Sequence, residues 1–161
     1  IPAGARVLDL GCGSGHPVAA DLLTRGFAVT GLDFSEAMLA IARASLPAGE
    51  WIAGDMRDLP VSGAFHAVIA WDSFFHLRQD AQRLMFPLFR EHAAEGAALL
   101  FTSGPGHGEA IGSFGGEPLY HASLDAAEYR ALLAANGFHV VSHVVEDPDC
   151  GRHTIWLAQL T

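Results

Sequence analysis

The chain has 161 residues, half of them apolar, with nine arginines, no lysine, two cysteines and a net charge of −9. That length fits one domain with a sizeable core, no run approaches the roughly 18 uncharged apolar residues of a membrane span, and no signal-peptide pattern is visible. The acidic balance without a basic stripe argues against nucleic acid as substrate, the missing lysine excludes Schiff-base and P-loop chemistry, and two isolated cysteines suit a reduced, cytoplasmic setting with no disulfide framework.

The first predicted strand, Ala5 to Leu10, carries Asp9 at its end and runs into Gly11-Cys12-Gly13-Ser14-Gly15. So sharp a glycine turn exposes backbone N–H groups, on which something flat or charged can lie. The dinucleotide fingerprint G-x-G-x-x-G fails, because His16 stands where the third glycine belongs. Cys12 reads as a small filler rather than a nucleophile. His16 opens a helix that continues to Arg25 and stops at Gly26; it is placed either for helix entry or for contact with a ligand carboxylate.

A second strand, Ala28 to Asp33, ends in an acid 22 residues after Gly11. In doubly wound folds an acid at this tip reaches ribose hydroxyls; alternatively Asp33 caps the helix that starts at Ser35. Phe34 and Met38 stand where an adenine needs apolar walls. That helix carries Met38, Ile41 and Ala42 on one face and ends before Pro47. A third short strand, Glu50 to Ala53, leads into Gly54-Asp55-Met56-Arg57-Asp58-Leu59-Pro60, in isolation only a turn.

Strand 4 is Ala64 to Trp71. A helix from Gln79 to Ala94 contains Pro87, so a kink or late start is expected. Strand 5, Ala97 to Ser103, is apolar throughout and reads as central. Gly104 to Ala122 is the longest irregular segment and is read as a lid over the site, its glycines serving as hinges. A helix then begins with the capping pair Asp125 and Glu128, staples Leu124 onto Tyr129, turns Leu132 and Leu133 to the sheet and ends at Gly137. Strands Phe138 to Glu146 and His153 to Gln159 flank the turn Asp147 to Gly151 as a hairpin. Alternating strands and helices predict an α/β fold with helices on both faces of a parallel sheet.

Asp9-x-Gly11-x-Gly13-x-Gly15 resembles motif I of the class I S-adenosylmethionine (SAM)-dependent methyltransferases, and Gly54-Asp55-x-x-x-Leu59-Pro60 is similar to that family's adenine motif. The resemblance covers nearly the whole chain. It implies a Rossmann-like three-layer sandwich whose seven strands run 3-2-1-4-5-7-6, strand 7 antiparallel, in a single domain over residues 1–161. It also implies SAM as cofactor. Asp9, Gly11, Cys12, Gly13, Gly15 and His16 would lie along its methionine end, Asp33 on its ribose, and Phe34, Met38, Gly54, Asp55 and Met56 around its adenine. Trp71 would border the methyl group.

Two features depart from the family. Members carry one or more helices upstream of strand 1, which cover SAM, and the sequence starts only a few residues before that strand. The Asn-Pro-Pro-Tyr signature of amino-group methyltransferases is missing; Ala70-Trp71-Asp72-Ser73-Phe74-Phe75-His76-Leu77 stands there and resembles the small-molecule branch. A small-molecule acceptor is therefore expected, with no nucleic-acid or membrane partner, and a homodimer is left open. The competing reading is a non-catalytic SAM-binding module.

Methyl transfer from a sulfonium is an in-line displacement, so the protein chiefly aligns reactants and excludes water. A general base is required only for an acceptor that arrives protonated. The candidates are Asp72, His76, His107, Tyr120 and His121. Asp72 and His76, four residues apart, would share a face if helical. His76 has the alternative of a structural hydrogen bond to a loop carbonyl. Tyr120 and His121, leading into the next helix, suit acceptor binding. No histidine or cysteine spacing suits a metal, and none is expected.

Overall fold

The computed structural model describes residues 2–161. In chain order the elements are β1 (Arg6–Leu10), α1 (Val18–Thr24), β2 (Ala28–Asp33), α2 (Glu36–Ser45), β3 (Glu50–Ala53), β4 (Phe65–Ala70), a 3-10 turn (Phe74–His76), α3 (Gln79–His92), β5 (Ala93–Ser103), β6 (Gly108–Phe114), β7 (Glu117–Ser123), α4 (Ala126–Ala135), β8 (Phe138–Asp147) and β9 (His153–Leu160). Seven strands form one sheet in the order β3-β2-β1-β4-β5-β9-β8. β1 to β5 pair in parallel, and β9 runs antiparallel between β5 and β8. This is the expected order, with β8 and β9 as the closing hairpin.

Alternation along the strands decides which helix covers which face. Val7, Ala67 and Ile69 pack beneath α1, next to a cluster in which Val29 meets Ala19 of α1 and Leu39 and Ala42 of α2. Leu8, Leu10, Val68, Leu99 and Phe101 turn the other way, against Phe86 and Phe89 of α3 and Leu133 of α4. On that side Phe74, Phe86, Phe101, Tyr129 and Trp156 are all buried, and Phe101 and Trp156 stack with ring centroids 5.8 Å apart. Aromatic pairs at such spacing add about 0.5–1.5 kcal/mol beyond the area they bury.

Three expectations need correction. The 104–122 segment is no irregular lid. β6 and β7 pair antiparallel over their whole length, from Gly108↔Ser123 to Phe114↔Glu117, about a Gly115-Gly116 turn with φ of +59° and +87°. Two residues of positive φ suit a two-residue hairpin connection. In α2 the buried positions are Leu39 and Ala42, whereas Met38 and Ile41 are exposed. Pro87 lies inside α3, which runs unbroken from Gln79 to His92.

β3 and β8 are the two edges of the sheet. The longer of them, β8, is irregular. Its register with β9 shifts between Val140 and Ser142 and again between Val144 and Asp147. Val141, Val144 and Val145 are exposed there. No helix among the described residues is long and apolar enough to cross a membrane.

Candidate functional site

The glycine turn after β1 is tied to β2. The Leu32 carbonyl accepts from the N–H groups of Gly11 (2.7 Å) and Cys12 (3.1 Å), and Gly13 N–H donates to Asp33 Oδ2 (2.8 Å). These donors hold the turn in place, so the N–H groups of Gly11, Cys12 and Gly13 are engaged within the protein and those residues present bare Cα surface. Gly11 has φ +74°, and a Cβ there would stand 2.2 Å from Ser73 Cβ. Gly15 does not line the crevice described below; a Cβ on it would strike Leu46 (2.7 Å) and Trp51 (2.9 Å), so its glycine serves packing.

Asp33 does not itself cap α2, since Ser35 does, but it braces the cap and its neighbours. Its Oδ1 accepts from Ser35 N–H at 2.8 Å, its backbone carbonyl from Gly54 N–H at 3.0 Å, and Ser35 itself caps α2 through Met38 N–H. One residue thus fastens the glycine turn, the start of α2 and the end of β3. A carboxylate has about four lone-pair sites, so it retains capacity for hydroxyl donors.

Two cavities meet at Gly11. One, of about 310 Å³, is lined by Gly11, Asp33, Phe34, Gly54, Asp55 and Met56, together with Leu32, Arg57 and Leu77. The other, of about 340 Å³, is lined by Asp9, Gly11, Cys12, Gly13, His16, Met38, Trp71 and Asp72, together with Ser14, Pro17, Val18 and Phe114. Together they form a crevice across the tips of β1 to β4, where ligands of open α/β sheets bind. Phe34, 87% exposed, is an apolar plate without a partner at its rim. Asp55 accepts from Arg57 through backbone and guanidinium, and that pairing holds its carboxyl below the usual range. His16 meets Ser45 across the rim at 3.3 Å.

Asp9 tests whether an adenosyl amino acid fits. It is 3% exposed, and burial first and the Asp33 charge second push its pKa up to about 7. No described side chain pairs with this carboxyl, so the crevice has a buried acidic group in want of a cation. The ammonium of an amino-acid ligand meets that want, and the open surface of Gly13 leaves room beside it, with nothing within 4 Å of a Cβ there. The residues fit the group. The Cys12 thiol is pushed up by burial and by Asp9 and Asp33, consistent with an inert filler.

The candidate bases scatter. Asp72 lies in the crevice, but its partner is His153, with Nε2 to Oδ1 at 2.7 Å, and not His76. The chain after β4 is a 3-10 turn rather than an α-helix, so Asp72 and His76 do not share a face. His76 Nδ1 meets the Tyr120 carbonyl at 3.0 Å and its ring packs on His121, which is the structural alternative. Tyr120 donates to Glu109 at 2.8 Å. His121 lines a third cavity of about 410 Å³ between the β6–β7 hairpin and the β8–β9 turn. His107 lies within ligand reach of Asp125 and Glu128, but Asp125 caps α4 and Glu128 is held by Arg83.

Residues the sequence did not flag complete the site. Ser73 donates to the Leu10 carbonyl at 2.6 Å, Thr102 Oγ1 accepts from Asp72 N–H at 2.9 Å, and Phe114 of the hairpin tip reaches the crevice. None is adjacent in sequence to what it touches.

Residues 7–96, more than half of the chain, match a family described as methyltransferase domain. A protein of Mycolicibacterium smegmatis named "Probable S-adenosylmethionine-dependent methyltransferase" is 32% identical over 146 residues, covering 86% of this chain and 53% of that protein. A malonyl-[acyl-carrier protein] O-methyltransferase of Serratia marcescens is 27% identical over 145 residues, covering 88% and 56%. The chain spans about half the length of the curated relatives it matches. Among solved structures, SAM-bound CalS10, an amino pentose methyltransferase from Micromonospora echinaspora, shares the fold with a TM-score of 0.77 at 23% identity, covering 98% of this chain and 84% of that one. The chain belongs to the methyltransferase-domain family, within the class I SAM-dependent superfamily.

Proposed function

We propose that this chain binds SAM across the tips of β1 to β4 and serves methyl transfer to a small-molecule acceptor. The observation that carries the reading is a row of acids, Asp9, Asp33 and Asp55, at or just beyond the ends of three neighbouring strands, with the bare Gly11 between two cavities. When bound, SAM supplies an electrophilic methyl group on a sulfonium, already activated for displacement. The chain's own residues then have four tasks. Asp9 pairs with an ammonium; Asp33 accepts from the ribose hydroxyls; Phe34 and Met56 flank the base; Trp71 and Asp72 bound the space from which an acceptor approaches. Alignment and exclusion of water do the rest. The acidic net charge and the absence of a basic stripe support a neutral or cationic acceptor over nucleic acid.

Titration calorimetry with S-adenosylhomocysteine tests the reading. The expected result is micromolar or weaker binding that Asp33→Ala weakens by about 1–3 kcal/mol, the value of lost hydrogen bonds to a charged group. Absence of binding to the folded wild type, or equal affinities for the two proteins, would overturn it.

A further inference from the structure

We infer that the 410 Å³ cavity is the acceptor site, that it takes a neutral ring-sized molecule offering an O–H or N–H, and that His153 is the positioning residue that aims Asp72 at that group. This rests on the donor reading above. The cavity is built from the chain after β5 (Gly104, Pro105), the hairpin (Glu109, His121) and the β8–β9 turn (Arg152, His153). Its boundary with the crevice is the Asp72–His153 pair: Asp72 lines the crevice, His153 lines the cavity, and 2.7 Å separates them. Trp71, also in the crevice wall, lies against His153 with ring centroids 5.3 Å apart. A molecule in the cavity and a molecule in the crevice would therefore meet at one carboxylate.

That carboxylate is fixed. Asp72 has φ +51°, the left-handed region that asparagine and aspartate enter more readily than other non-glycine residues. Its N–H is held by Thr102 Oγ1. His153 lies between two oxygens that only accept, Cys150 carbonyl on Nδ1 at 2.6 Å and Asp72 Oδ1 on Nε2. Both ring nitrogens therefore face acceptors, an arrangement that favours the protonated ring. Burial alone would lower its pKa, but the Cys150 carbonyl and the Asp72 charge outweigh it and the net shift is upward.

The contact with His153 Nε2 at 2.7 Å orients Asp72 as a hydrogen-bond acceptor. Its side chain is 44% exposed, and Oδ2 has no partner among the described residues. The other charged groups around the cavity set the substrate class. Arg152 is paired with Glu146 at 3.2 Å, Glu109 accepts from Tyr120, and the His121 pKa is lowered by burial and by His76. Asp147 stands opposite His153 in the β8–β9 register. Among the described lining residues no cation is left over for a carboxylate or phosphate, so an anion is disfavoured.

The test is NMR titration of the chain saturated with S-adenosylhomocysteine, using phenol and aniline, both neutral at pH 7, as probes, with anisole and benzoate as controls. Phenol, aniline or both should shift the amide signals of Gly104, Ala122 and His153, and the responding probe tells hydroxyl from amine acceptors. Asp72→Asn and His153→Gln should each weaken that probe at least fivefold, and anisole and benzoate should bind at least fivefold more weakly than it. In the free protein the His153 ring should titrate above 6.5 and drop below it in Asp72→Asn. Wild type that binds S-adenosylhomocysteine but shows no probe shifts at these residues, or binds the controls as well, or keeps its probe affinity in both variants, overturns the inference alone. Loss of S-adenosylhomocysteine binding by the wild type overturns the donor reading instead.

Discussion

Gly11→Ala should cost more than any other single methyl group added to this chain's glycine turn. Its Cβ would fall 2.2 Å from Ser73 Cβ and 2.9 Å from Ser73 Oγ. The left-handed conformation of a non-glycine residue costs about 1–2 kcal/mol. Displacing Ser73 forfeits its bond to the Leu10 carbonyl, about 1 kcal/mol, and overpacking a filled site adds about 1–3 kcal/mol. The sum is about 3–6 kcal/mol, against a typical domain stability of about 5–15 kcal/mol. Both atoms closer than 3 Å belong to the Ser73 side chain, so Ser73→Gly removes the clash, and the next atom, Met56 Cε, lies at 3.4 Å. Urea unfolding of the wild type, both single variants and the double variant gives the coupling directly. The double variant should recover about 1–3 kcal/mol relative to Gly11→Ala with the effects summed. The reasoning is refuted if Gly11→Ala loses less than about 1 kcal/mol, below the strain of its backbone alone, or if the cycle shows no coupling.

Asp9 gives the chain a characteristic pH response. Its carboxyl titrates near 4 unfolded and at about 7 folded, so between these values the folded state holds the extra proton. Stability from this group is therefore full at low pH and is lost as pH rises to about 7. Asp9→Asn should remove that slope, so that the variant gains on the wild type by a few kcal/mol between pH 4 and 8, read from unfolding at each pH; a difference flat with pH would contradict the burial argument. Phe34, exposed and unpartnered, should behave oppositely. Phe34→Ala should change stability by less than about 0.5 kcal/mol yet weaken S-adenosylhomocysteine by about 1–3 kcal/mol, the value of base–aromatic stacking. A loss of stability without loss of affinity would assign Phe34 to the core instead.

The elements that set the fold were legible because each has a local signature. β1 to β5 are runs of apolar residues closed by acids or glycines, and α4 announces itself through Asp125, whose side chain accepts from Glu128 N–H as expected. The β6–β7 hairpin was missed although its Gly115-Gly116 turn is a hairpin signal, because glycine and proline through the segment mask the period of two. Pro118 sits within β7 at an edge of a two-stranded ribbon, where its missing N–H costs no ladder bond. The Asp72–His153 pair could not be read locally. It depends on β9 inserting antiparallel beside β5, which carries residue 153 back to residue 72 across 81 positions. Asp33 was legible as an acid at a strand tip, but its fastening of three loops is a property of the assembled sheet.

The interruptions along β8 bear on how the molecule behaves among its copies. An open strand end of a sheet invites a neighbour to add itself rung by rung, and valines on show would ordinarily strengthen the invitation. Here regular pairing breaks after Val140 and again after Val144, and Glu146 turns back at φ +48°. A guest strand would find only short stretches of matching rungs, each too brief to seed a fibril. The outer edge of β8 is therefore a poorer template for an added strand than an unbroken strand of ten residues would be.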